Sequence, residues 1–320
     1  MTPLSFSMLR MLSDGRFHSG EALARSAGVS RGSIWNAAKS IEEAGLELAR
    51  VKGRGYRLDK PMDWLDGDAV AGMLDSRLLD IEIVECIDST STELLRRSGP
   101  HGKVIAAEMQ TMGRGRMGRQ WMGAPGGSLT FSLAWKFDKG AGFLSGLSLA
   151  VGVALARAMR ACGVDDISLK WPNDVLYHFH KLAGILIEVK GDMLGPTLAV
   201  IGIGINFRLP DKTREGIDQA VIDIESMPVA NPGRNRLFAS ILNELCAALR
   251  QFDQSGFSSF KEEWSGLNAY SGRRIRLKLP SGGIAEGIAA GVSEHGEILL
   301  DAGGERLAIA SGEVSLRGAS

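Results

Sequence analysis

Residues 113–127 read Gly113-Arg114-Gly115-Arg116-Met117-Gly118-Arg119-Gln120-Trp121-Met122-Gly123-Ala124-Pro125-Gly126-Gly127. The first six positions match G-x-G-x-x-G, and the apolar run 104–109 ahead of them is a plausible strand. A dinucleotide fold needs that fingerprint to open a helix whose N-terminus faces a pyrophosphate. The continuation from Trp121 to Gly127 cannot be a helix, because it holds Pro125 and three glycines. Asp138, some 20 residues on, is therefore a coincidence, and with no G-K-[ST] the segment is not a P-loop either. What remains is a long flexible loop carrying Arg114, Arg116 and Arg119, suited to closing over an anion with backbone N–H groups and guanidinium forks. A solvated basic loop is the bland alternative; Trp121 argues against it.

Outward from this loop the chain reads as mixed strands and helices. Strands are predicted at 81–87, 104–109, 129–135, 168–171, 183–189 and 197–205, with long helices at 145–162 and 235–251. They do not alternate regularly, which favours α+β over a doubly wound sheet. After Tyr270 the style changes to short strands at 274–279, 284–292, 297–300 and 305–309, separated by turns and glycine pairs, as in a small all-β barrel. The fold class is thus an α+β multidomain chain, divided at 1–62, 63–268 and 269–320.

The 320 residues carry 37 basic and 37 acidic side chains, but residues 1–60 hold ten Lys/Arg against six Asp/Glu. A small basic module sits on a slightly acidic body. Cys86, Cys162 and Cys246 are too scattered for a disulfide framework or a C-x-x-C site. No signal peptide is apparent, and the most apolar stretch, 147–159, is too short to cross a bilayer. A cytoplasmic protein without membrane partners is expected.

The basic module reads helix, helix, turn, helix, hairpin. Ser19 and Ser30 are placed to cap helices, and Ala27-Gly28-Val29 makes the tight turn. In the third helix Ile34, Ala37, Ala38 and Ile41 share one face, leaving Arg31, Ser33, Asn36 and Lys39 on the other. The hairpin around Gly53-Arg54-Gly55 carries Arg50, Lys52, Arg54 and Arg57 with no acid between them. This is a winged helix-turn-helix, with Ser30 to Lys39 aimed at bases and the wing at phosphates. A winged protein-interaction module is the alternative. A further cluster, Lys170-Trp171-Pro172-Asn173-Asp174, is followed by Lys181 leading into an apolar strand. It gathers two ammoniums and a carboxylate near a turn, although Lys170 and Asp174 could be an ordinary ion pair.

Together these segments resemble the bacterial biotin protein ligases that double as repressors of the biotin operon. The resemblance rests on Asp88-Ser89-Thr90, the stretch from Gln110 through Gly113-Arg114-Gly115-Arg116 to Trp121, Lys170 to Asp174, Lys181-Leu182-Ala183-Gly184-Ile185-Leu186 with Glu188, Gly202 to Asn206, and Gly312-Glu313-Val314-Ser315-Leu316-Arg317. It implies a winged helix, a mixed ligase domain and an SH3-like C-terminal barrel. It also implies that biotin and ATP, with Mg²⁺, form biotinyl-5'-AMP, and that a lysine of the biotin carboxyl carrier protein of acetyl-CoA carboxylase takes the biotin.

On that resemblance Ser89, Thr90, Ser91, Gln110, Arg114, Gly115, Arg116, Trp121, Lys181, Gly184 and Gly202 bind biotin. Arg116, Arg119, Asn173, Lys181, Asn206 and Arg317 bind ATP or the adenylate. Lys181, Arg116, Asp174 and Lys170 are catalytic, with Asp174 either holding Mg²⁺ or orienting the incoming amine. The adenylate would act as corepressor of a homodimer on operator DNA of biotin genes. Two departures stand out: Ser91 follows Ser-Thr where the family commonly has Asn, and Met117 stands where some members carry arginine. A metal at His178-x-His180 is not expected, since no third ligand lies nearby. A non-catalytic ligand sensor and a lipoate-type ligase are the competing functions.

Overall fold

The computed structural model describes residues 1–192 and 194–316, so Arg317 lies outside the described residues. Helices α1 (Pro3–Leu12), α2 (Gly20–Ala27) and α3 (Arg31–Glu43) are followed by the hairpin β1 (Leu48–Val51) and β2 (Gly55–Leu58). Each of these helices begins where a capping hydroxyl permits: Thr2, Ser19 and Ser30 all accept from backbone N–H groups. Gly28 ends α2 in the left-handed region. Met8, Leu9, Leu23, Ile34, Ile41 and Leu58 form a core of their own. The hairpin is locked to the preceding segment: His18 and Tyr56 exchange backbone hydrogen bonds of 2.9 Å. A Cβ at Gly55 would sit 2.0 Å from His18 O at a φ of +99°, so only glycine fits that crossing.

The body begins with α4 (Gly67–Ala71), β3 (Asp80–Ile87), α5 (Thr90–Arg96), β4 (Lys103–Gln110) and β5 (Ser128–Phe137). It continues with α6 (Leu147–Ala161), β6 (Ile167–Lys170), β7 (Asp174–Tyr177), β8 (His180–Gly191) and β9 (Thr197–Asn206). Then come α7 (Asp211–Glu215), α8 (Arg234–Ser255) and α9 (Lys261–Leu267). The sheet order is β3-β4-β5-β9-β8-β7-β6, with β3 and β4 parallel and every other pair antiparallel. This is the predicted mixed α+β architecture. The last strands, β10 (Arg274–Lys278), β11 (Ile284–Val292), β12 (Ile298–Ala302), β13 (Glu305–Ile309) and β14 (Glu313–Leu316), make a five-stranded antiparallel sheet. Its Ile275, Leu277, Val292 and Leu300 belong to the same core as α6, α8 and the large sheet. Among the described residues no helix is long and apolar enough to cross a membrane.

One buried ion pair ties the linker to the body. Arg234 at the start of α8 bonds Glu108 of β4 at 2.7 Å, and both side chains are 1% exposed. Arg234 also donates to Asp63 O and Ser128 O, while Glu108 accepts from Leu65 N. Breaking such a pair leaves an uncompensated buried charge, so Glu108→Ala should destabilise the body by about 3–5 kcal/mol. Urea unfolding of the variant checks this; an unshifted midpoint would mean the charge finds water.

Candidate active site and nucleic-acid interface

A cavity of about 640 Å³ opens on the large sheet. Among the described residues, every sequence-predicted biotin, adenylate and catalytic residue lines it. Three stretches far apart in sequence are brought together because β3, β4, β5, β9, β8 and β7 lie side by side.

At one end β3 runs into the cap of α5. Ser89 accepts from Thr92 N, and Gln110, the last residue of β4, takes the Thr90 N–H at 2.8 Å and the Thr90 hydroxyl at 3.1 Å. Ser132 of β5, wholly buried, touches Thr90 Oγ1 at 2.7 Å and Ser91 Oγ at 2.8 Å. The sequence reading passed over Ser132. The signal was available: Ser128, Thr130 and Ser132 alternate with apolar residues, a polar stripe along a strand buried on both faces.

The arginine loop is more folded than its glycines suggest. Trp121 N donates to Gly113 O at 2.9 Å and Gly115 N to Arg119 O at 2.7 Å, closing a turn through the short helix Arg116–Gly118. Its arginines part ways: Arg114 pairs with Glu188, Arg119 with Glu313 at 2.6 Å, and Arg116 reaches Asn173 Oδ1 at 3.3 Å. Burial pulls Arg116 below the usual guanidinium range, against the attraction of Asp174 and Glu313. Trp121 lies flat over β8 and β9. A Cβ at Gly204 would fall 2.4 Å from Trp121 Cε2, and one at Gly184 3.3 Å from Trp121 Cζ3. Gly204, not among the predicted ligand residues, thus makes the closest approach to the indole. Gly202 instead faces Ser91, whose Oγ would be 2.6 Å from an added Cβ.

At the other end Asp174 pairs with Lys181 at 2.7 Å, not with Lys170. Lys170 and Asp174 are opposite each other in the β6–β7 register, yet the side chain that reaches the carboxylate comes from β8. Burial holds the Lys170 ammonium below the usual lysine range, with Asp174 opposing that shift and Lys181 adding to it. Asn206 spends its amide on Lys181 O (3.2 Å) and Ile222 O (3.1 Å), so it positions Lys181 as well as lining the cavity. The segment from Gly216 to Val221 also lines the cavity, and nothing in its composition announced it. His180 Nδ1 is 2.9 Å from His178 O, and among the described residues no group of three or more metal-ligating side chains occurs.

On the winged helix, Arg31, Asn36 and Lys39 are exposed as expected. Trp35 joins them at 51% exposure, a residue the polar-face reading missed. Ser30 and Ser33 are engaged locally: Ser30 Oγ caps α3 through Ser33 N and meets Ser33 Oγ at 2.9 Å. The wing is less free of acid than its own sequence implies, because Glu42 of α3 reaches Arg50, and on α3 itself Glu43 lies 3.7 Å from Lys39. Arg54 and Arg57 sit over Phe17 at 4.2 and 4.9 Å, which fixes their guanidiniums against the module.

Residues 5–57 match a helix-turn-helix domain, residues 83–206 the biotin/lipoate A/B protein ligase family, and residues 270–317 the biotin protein ligase C-terminal domain. The chain is 35% identical over 320 residues to the bifunctional ligase/repressor BirA of Salmonella typhimurium, covering 99% of each chain. It is 34% identical to the protein of that name from Escherichia coli, over 98% of this chain and 97% of that one. A biotin protein ligase from Aquifex aeolicus in complex with biotin and ATP superposes with a TM-score of 0.64 at 28% identity, over 74% of this chain and 98% of that chain. With near-complete coverage, a winged helix in front and the cavity assembled from the ligase motifs, the chain belongs to the biotin protein ligase family, in its bifunctional ligase/repressor branch.

Proposed function

We propose that this chain activates biotin with ATP, transfers it to a lysine of the biotin carboxyl carrier protein of acetyl-CoA carboxylase, and represses biotin-synthesis genes when loaded with biotinyl-5'-AMP. The observation that carries the reading is the cavity itself. A hydroxyl- and amide-lined end and an end with three cations around one carboxylate share a single space roofed by Trp121. The ureido head of biotin suits the first end and the carboxylate and phosphates suit the second. Residues 1–62 then serve DNA binding, 63–268 the chemistry and 269–320 its support, and the operator-bound form is a homodimer.

In the first step a biotin carboxylate oxygen attacks the α-phosphorus and the bond to pyrophosphate breaks. Negative charge builds there, and Arg116, Lys170 and Lys181 are fixed cations in a poorly hydrated place. Asp174 is the carboxylate facing them, and one carboxylate plus phosphates suffices for Mg²⁺, which prefers to keep several waters. When bound, that ion neutralises charge on the leaving pyrophosphate. In the second step the carrier lysine attacks the acyl carbon and AMP leaves. Asp174 then orients the amine, and the arginine loop keeps water from the anhydride.

Arg116→Ala removes a cation from a glycine-flanked turn without opening the core, so the fold should persist while biotinyl-adenylate escapes about a hundredfold faster. Gel filtration of the loaded variant measures this, and wild-type retention would refute it. Biotin-dependent exchange of labelled pyrophosphate into ATP tests the proposed chemistry. Exchange driven by lipoate instead would make the chain a lipoate ligase, and none with either would make it a sensor.

A further inference from the structure

We infer that Ser132 is a positioning residue that sets the direction of a hydroxyl relay and thereby makes Ser91 a hydrogen-bond acceptor toward the ligand head group. The inference rests on the biotin reading above and concerns how that end of the cavity selects its ligand.

The direction follows from one backbone N–H. Thr90 N can only donate, and it lies 2.8 Å from Gln110 Oε1, so the oxygen of that amide must face Thr90 and the NH₂ must face away. The Thr90 hydroxyl, 3.1 Å from the same oxygen, gives it its single proton. Toward Ser132, at 2.7 Å, Thr90 Oγ1 therefore accepts, and the Ser132 proton is used there. Ser132 Oγ must then accept from Ser91 at 2.8 Å. Ser91 has spent its only proton inward, and its remaining lone pairs face the cavity. With Ser132 at 0% exposure, no water competes for these bonds.

The cavity thus offers donors from the Gln110 amide and an acceptor at Ser91. A cyclic urea, with a carbonyl and ring N–H groups, meets both. A head group without an N–H leaves Ser91 unsatisfied in a buried place, which is where polar sites discriminate most strongly. Gly202 keeps the relay intact, since a Cβ there would lie 2.6 Å from Ser91 Oγ. Ser91, the departure from the family's common Asn, is in this view an acceptor made by its neighbour.

The test is a double-mutant cycle on the full chain, with the Michaelis constants for biotin and ATP and the turnover number read by pyrophosphate release. Ser132→Ala should raise the KM for biotin about 10- to 30-fold at nearly unchanged kcat and unchanged KM for ATP. In a Ser91→Ala background the same substitution should add less than about twofold, because the relay then has no end to organise. Gly202→Ala, whose Cβ would clash with Ser91 Oγ at 2.6 Å and meet Ser132 Oγ only at ordinary contact distance, 3.5 Å, should reproduce the KM effect and covers the case in which Ser132→Ala misfolds. A cyclic carbamate analogue of biotin, with ring oxygen in place of one N–H, should lose discrimination against biotin at least about fivefold in Ser132→Ala, in the regioisomer that faces Ser91. Equal effects of Ser132→Ala in both backgrounds, or an unchanged KM, would overturn the relay while leaving the ligase reading intact. Absence of biotin-dependent release by the unmodified chain would overturn that reading instead.

Discussion

Replacing Lys181 with alanine will reduce biotin-dependent pyrophosphate release about a thousandfold. The side chain is 16% exposed, and its Nζ is held 2.7 Å from Asp174 Oδ1. Its backbone is clamped on both sides: Lys181 N donates to Ala220 O at 2.9 Å, and Lys181 O accepts from Ile222 N and Asn206 Nδ2. A charge fixed in this way needs no reorganisation as negative charge gathers on phosphorus, which is where preorganised groups contribute most. The substitution also strands Asp174 among its remaining neighbours, a carboxylate that would then oppose an incoming triphosphate. Lys181→Arg should not restore the rate, because a planar fork cannot occupy the position of a compact ammonium beside the Trp121 ring, 6.0 Å from Lys181 Nζ. Unchanged release in the alanine variant would reduce Lys181 to a structural partner of Asp174.

Deleting residues 1–60 will abolish DNA binding and leave acceptor biotinylation measurable. The cut preserves Pro61, whose carbonyl accepts from Arg208 Nη1, and Asp63, which accepts from Arg234 N. It also leaves every proposed catalytic residue in place. The module does touch the body, through Arg10 to Glu85 at 2.7 Å and Arg10 over Trp64 at 4.2 Å, so some change in turnover is expected. With the intact chain, a gel shift on DNA upstream of biotin-synthesis genes should require biotin and ATP together if, as proposed, the adenylate-loaded form is the homodimer, since a dimer doubles the phosphate contacts. Affinity should fall steeply with salt, by about 0.9 in log K per phosphate neutralised per unit log salt. The slope should fall short of that for four free wing cations per protomer, since Glu42 already holds Arg50. Binding that ignores the ligand would exclude the corepressor mechanism, and binding by the truncated chain would move the DNA site off the winged helix.

The elements legible in the sequence are those with local causes. Ser19 and Ser30 cap their helices, Gly28 closes α2, and the exclusion of a helix after Gly118 kept the fold away from a dinucleotide domain. The motif residues converge on one cavity because family resemblance carries positions that spacing alone could not. What was hidden depends on register between strands. Asp174 meets Lys181 because β7 and β8 pair with a shift between Val175 and Leu176, which no local pattern encodes. Glu42 reaches Arg50 across the turn that joins α3 to β1, so a wing without acids of its own is still partly neutralised. Helix α5 is short and begins in a run of Ser and Thr that reads as loop until Ser89 is seen to cap it. Gly204 and Ser132 matter only through what faces them, Trp121 in one case and Ser91 in the other.

The proposed function requires one site that both makes and spends an acyl-adenylate. Incubating the chain with an acceptor domain of a biotin carboxyl carrier protein and biotin, with and without ATP, and blotting with streptavidin measures that directly. Labelling of the acceptor lysine that requires ATP, releases one AMP per biotin transferred and disappears in Lys181→Ala is the predicted result. Labelling that proceeds without ATP, or an acceptor left unlabelled by a chain that retains biotin and ATP, would contradict it.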